Sequence, residues 1–257
     1  MQFLPDATVL PSLNPDAADS FGNLLVKVQS VDQRHAARVA RVNGIVEQHY
    51  NDRLTVYSGL SAGTMTNEAR ANIRDAVAAK AGKDAKDLRD AQNELNREAL
   101  DADEREAVAV SQRLTVFLSA ISDCPAGLIS HVTLTEKDLT EKRIRYQNAL
   151  QFASHSELKH RAIAAAATSD WALTAAVLAH LDRLPNEQRP VHPATLAAKV
   201  GGQLYNSIKL ATDSANHALQ SMVNRRREFA SGRSNSLKRI ESGLKKMEID
   251  KRADALA

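Results

Sequence analysis

The chain has 257 residues, a formal charge of +3 and one cysteine, which suits one large domain or two small ones. Of its hydrophobic residues 42 are Ala, while Leu, Ile, Val and Phe together number 59, so the core is expected to be thin, closely packed and helical. The lone Cys124 excludes an intramolecular disulfide framework, and the opening MQFLPDATVLPSLNP has neither the basic start nor the apolar run of a secretion signal.

Residues 1–14 carry Pro5 and Pro11 and show no periodicity, which predicts an extended N-terminal arm. Asn14, Pro15 and Asp16 then offer an N-cap, a first-turn proline and an acidic first turn. Phe21, Leu24, Leu25, Val28, Val31, His35, Val39, Val42, Ile45 and Val46 recur at spacings of three and four, predicting a helix with one apolar face to about residue 50. His35 on that face reads as a hydrogen-bonded core residue.

After a glycine-bearing connection at 58–66, no proline occurs until Pro125. Residues 80–106 hold 15 charged residues in 27, with Leu88, Ala91, Leu95, Ala99 and Ala102 as a narrow apolar stripe. The expectation is a long charged helix over about 66–121, mostly solvated, or a two-helix arm broken near Gly82. Its acidic run DADERE (101–106) lacks the glycine and ligand spacing of a calcium loop and reads as a solvated face. DCPAGLIS (123–130) reads as a turn, Thr135 with Asp138 as a helix start, and Ser154 with Glu157 as a capping box. Ser169 and Asp170 start the helix containing Trp171, Val177, Leu178 and Leu181. The apolar window 162–181 is mostly Ala with Asp170 inside it, so it reads as buried helix and not as a membrane span. Three prolines in LPNEQRPVHP (184–193) mark 185–193 as a linker between a bundle at 15–184 and C-terminal helices at 194–257.

Leu204, Ile208, Ala211, Ala215, Leu219 and Met222 draw a further helix, which Ser231 and Gly232 end. Leu237, Ile240, Leu244 and Met247 then stand at heptad spacing, a short coiled-coil seam. Residues 224–252 hold ten Lys or Arg and four Asp or Glu, a net +6 that leaves −3 for the remainder. The residues expected to meet a partner or nucleic-acid phosphates are Arg225, Arg226, Arg227, Arg233, Lys238, Arg239, Lys245 and Lys246. Those expected to form an oligomer seam are Leu88, Leu95, Leu237, Ile240, Leu244 and Met247.

Two motifs bear on chemistry. GLSAG (59–63) matches the G-x-S-x-G nucleophile elbow, with Ser61 as nucleophile, but that elbow needs a strand before it and a parallel sheet. Residues 194–213 carry a degenerate helix-turn-helix pattern around Gly201, with Gly202 and Ser207 where apolar residues belong. No histidine set, cysteine pair or phosphate loop points to a metal, cofactor or enzyme. The predicted fold is all-α: an elongated helical bundle with a long polar helix or hairpin arm, an extended N-terminal arm and a basic helical tail. The function it suggests is a non-enzymatic assembly protein that works as an oligomer with other assembly proteins. Its general build is that of connector, ring or internal virion proteins of tailed phages, placed in the producing cell's cytoplasm or in the virion. DNA binding through 194–213 and the tail is the alternative, and a serine hydrolase at Ser61 the third.

Overall fold

The computed structural model describes residues 10–59, 67–121, 124–232 and 236–255. Among them the fold is all-α, with no strand. In chain order the elements are α1 (Phe21–Gly59), α2 (Asn67–Ala120), α3 (Pro125–Thr135), α4 (Lys137–Ala149), α5 (His155–Thr168), α6 (Trp171–Leu181), α7 (Pro193–Ser231) and α8 (Ser236–Asp254), with a 3-10 turn at Asn186–Gln188. No single helix among the described residues is long and apolar enough to cross a membrane.

Several local starts differ from the sequence expectation. Asn14 caps no helix: its Oδ1 accepts from the Asp16 amide at 3.1 Å, closing a local turn. Ser20 takes the capping role, its Oγ accepting from the Asn23 amide at 3.2 Å, so α1 begins where its apolar face begins. Beyond residue 50 polar contacts carry α1 on. The Tyr57 hydroxyl donates to Asp84 and the Lys80 ammonium lies 4.4 Å from the Tyr57 ring centre. The turn expected at 123–130 is already helix from Pro125, because proline fits the first helical position. Thr135 donates to its own helix at His131 O and leaves the start of α4 without a side-chain cap. Ser154 and Asp170 cap as expected, accepting from Glu157 N at 3.2 Å and Leu173 N at 2.9 Å.

The long polar segment is one unbroken helix of 54 residues. Gly82 does not interrupt it, and a Cβ there would meet nothing within 4 Å. Its buried line runs through Ala81, Ala85, Leu100, Asp103, Ala107, Val110, Leu114 and Phe117, with Leu88 half-buried. The stripe drawn through Ala91, Leu95 and Ala102 misses it, since all three are exposed. Asn93 and Asn96, both half-buried, hold inward positions that an apolar-only reading passes over.

The described residues pack as two compact units. The first takes those up to Val26, Val110–Ala215 and those from Lys246 onward; the second takes those of Lys27–Ala109 and Asn216–Lys245. In the first unit α3, α4 and α5 all pack on α6. Eight of the eleven α6 residues are buried, among them Leu173, Val177, Leu178 and Leu181, and each large side chain so removed from water contributes roughly 1.5–3 kcal/mol. The segment 185–193 expected as a boundary lies within this unit, where Leu184 just before it and Val191 inside it pack on the same core.

The helix-turn-helix expectation fails on α7, a single 39-residue helix that runs straight through Gly201 and Gly202. Gly201 serves packing instead of a turn: a Cβ on it would come within 3.1 Å of the buried Ile129 side chain and 3.6 Å of the Pro125 carbonyl. Gly232 is the glycine that ends a helix, with φ +66° just past the end of α7.

These two neighbouring glycines predict opposite outcomes. Gly202→Ala meets only the Ala198 Cβ at 3.9 Å and should raise stability by up to about 1 kcal/mol through helix propensity. Gly201→Val should lower it by about 1–3 kcal/mol through overpacking against Ile129. Urea denaturation of both variants checks this; equal effects at the two positions would contradict the packing role.

Candidate functional site

Two features bear on function: a buried polar layer in the second unit, and the outer face of α8, which runs from the second unit into the first. The layer lies between two apolar clusters. One contains Val39, Val42, Val46, Ala85, Leu100 and Phe229, the other Val31, Ala107 and Met222. Between them the spacing of three and four places His35 on α1, Asp103 on α2 and Arg225 on α7 at inward positions.

Arg225 organises the layer. Its Nη2 donates to Asp32 Oδ1 at 2.8 Å and its Nη1 lies 3.2 Å from His35 Nδ1. A guanidinium can only donate, so Nδ1 is the acceptor and neutral His35 carries its proton on Nε2. That nitrogen lies 3.5 Å from Glu104 Oε1. Burial, and then the charge of Arg225, lower the His35 pKa from 6.5 to about 4. Burial likewise raises the pKa of Glu104 above the ordinary range. Asp103, only 4% exposed, accepts from Arg34 Nε at 2.9 Å, and Arg34 Nη2 reaches Glu106 at 2.8 Å. Arg226 closes the layer on Asp101 at 2.9 Å.

This changes the standing of the basic residues singled out in the sequence. Arg225 and Arg226 are held by carboxylates within their own unit, whereas Arg227 is exposed. Lys245 pairs with Glu241 along α8 at 3.1 Å, and Lys246 is exposed. Arg233 lies outside the described residues, as do the side chains of Lys238 and Arg239. The acidic run 101–106 is no solvated face, because Asp103 lies between Leu100 and Ala107 on the buried line. One acid interrupting an otherwise apolar line is the sequence signature of such a buried ion pair.

The seam residues divide in the same way. Leu88 is half-buried and packs within the second unit, while Leu95 is 78% exposed. On α8, Leu237, Ile240, Leu244 and Met247 are 79%, 61%, 61% and 56% exposed. Among the described side chains of this helix, Ser242 and Ile249 are half-buried. In the second unit Ser242 O and Oγ lie 3.0 and 3.2 Å from His217 Nε2 of α7. In the first unit Arg252 donates to Asp213 of α7 at 3.0 Å. The helix is thus attached along one line and offers its apolar line to solvent.

The first unit also has an open groove of about 770 Å³ lined by Trp171, Leu139, Leu173, Tyr146 and Lys142, among others. Two of its polar groups engage each other: the Tyr146 hydroxyl donates to Asp170 Oδ2 at 3.0 Å, and Asp170 also caps α6. Ser61 and most of the GLSAG stretch lie outside the described residues. Among the described residues there is no sheet for a nucleophile elbow to build on and no group of His, Cys, Asp or Glu that could hold a metal ion.

The His35 environment predicts a pH dependence. An unfolded histidine takes up a proton near pH 6.5, whereas folded His35 does so only near 4. Its contribution is therefore fully present above pH 6.5 and is lost as pH falls toward 4, on the order of 3 kcal/mol in all. His35→Asn, which keeps an acceptor for Arg225, should flatten the stability curve between pH 6.5 and 4; an unchanged slope would exclude the assignment. Within the arginine triplet, Arg225→Met should cost about 1–3 kcal/mol by stranding Asp32 and His35, while Arg227→Met should stay within about 0.5 kcal/mol. Equal losses in chemical denaturation would contradict this division. No protein-family model, curated protein or solved structure matches the chain.

Proposed function

We propose that this chain is a non-enzymatic helical assembly protein that acts as an oligomer, with α8 as a principal contact surface. The observation that carries this reading is the exposed apolar line of Leu237, Ile240, Leu244 and Met247 on a helix already attached along another line. Four large apolar side chains in a row are costly to leave in water. Two heptads of free helix would be marginal by themselves. A helix already formed and anchored loses less conformational freedom on binding, which strengthens a short interface.

Nucleic-acid binding has less support. Two of the three consecutive arginines are neutralised internally, and the segment with helix-turn-helix character lies within one helix. A subunit of this kind suits a ring, a connector or an internal virion layer, where many copies meet through the same surface.

Light scattering coupled to size-exclusion chromatography should give the full chain at micromolar concentration a mass that is a multiple of 28.0 kDa. A monomer throughout, with salt-dependent retention on duplex DNA, would instead favour the nucleic-acid reading.

A further inference from the structure

Resting on the assembly reading, we propose that α8 pairs with α8 of other copies in parallel and in register, in a bundle of more than two helices. The exposed apolar residues are spaced three, four and three apart, which admits one heptad assignment. Leu237 and Leu244 take the a positions, Ile240 and Met247 the d positions. Ser242 and Ile249 then both fall at f, opposite the seam. Both are half-buried in the folded chain, so the seam stays open to a neighbour while the far side of the helix remains attached.

The charges select the orientation. Glu241 and Glu248 fall at e, Gly243 and Asp250 at g. In a parallel, in-register pair each g position faces the e position of the neighbour's next heptad, so Gly243 meets Glu248 and no like charges oppose. In an antiparallel pair e faces e, which sets Glu241 against Glu248 on both sides. The residue types select the order. Leu at a with Ile at d disfavours the two-stranded form and shifts preference to larger bundles. A wider interface also brings the b and c positions, Lys245 and Lys246, toward the neighbour's Glu248 and Asp250, which are opposite in charge. Lys251 occupies the next a position and ends the seam after two heptads.

The test uses the full chain with the exposed Cys124 replaced by Ser and Met247→Cys introduced. It combines sedimentation over a concentration series with a short bis-maleimide cross-linker. The expected result is a trimeric or larger mass with efficient 247-to-247 cross-linking. In the antiparallel arrangement position 247 lies opposite position 237, placing the two thiols about 15 Å apart along the axis and beyond the linker. A companion variant, Leu244→Glu, alters a solvent-exposed side chain. It should retain wild-type helicity by circular dichroism while weakening association at least tenfold. A dimeric mass or absent cross-linking would overturn the parallel bundle and leave the assembly reading standing. An oligomer indifferent to Leu244→Glu would overturn the α8 seam and place assembly on another surface. A monomer at every concentration would overturn both, including the case in which the seam binds a helix of a different protein.

Discussion

The second unit depends on the pairing of Arg225 with Asp32 and His35. One guanidinium from α7 satisfies a carboxylate and an imidazole nitrogen of α1 at 2.8 and 3.2 Å. Buried ionic layers are poor net stabilisers, because removing charges from water offsets most of the attraction. What they impose is register. Moving α7 by one residue would take Arg225 out of reach of Asp32 and leave a half-buried carboxylate without its partner. The apolar clusters on either side carry no such demand, since Val, Ala and Met tolerate small shifts. The layer therefore fixes which residues of α7 face α1, and with them the positions of Met222 and Phe229.

In the first unit the governing constraint is helix thickness. The core around α6 relies heavily on Ala: Ala162, Ala165, Ala175, Ala176 and Ala197 are all buried there. Small side chains bury little area each, so they stabilise only if backbones approach closely and dispersion contacts are many. Gly201 takes this to its limit at α7, where it leaves room for Ile129. Such a core is economical in apolar residues. It leaves large ones, such as Phe152 at 90% exposure and the α8 line, available on the surface.

The basic C-terminal region changes its meaning once placed on helices. As a string of residues its net +6 reads as a surface for phosphates. In the folded chain the charge is partly spent: Arg225 and Arg226 neutralise Asp32 and Asp101, and Lys245 and Arg252 pair with Glu241 and Asp213. What α8 presents most conspicuously is apolar, and surfaces of that kind are recognised by packing.

The sequence by itself determined the helical class, through abundant Ala and unbranched side chains and scarce Gly and Pro. It also determined the capping at Ser154 and Asp170, the end of α7 at Gly232, and the heptad spacing on α8. All of these are local: each follows from a few neighbouring residues and the geometry of a single helix. Tertiary structure alone decided which face of α2 turns inward, because its middle is closed by Asn93, Asn96 and Asp103 and not by Leu95. It alone showed Gly201 as a point of close packing within an unbroken helix, and Arg225 as an internal counter-ion. The physical reason is the same in each case. A polar or small residue reveals its role only through its partner, and for Asp103, Gly201 and Arg225 that partner lies 69, 72 and 193 residues away in the chain.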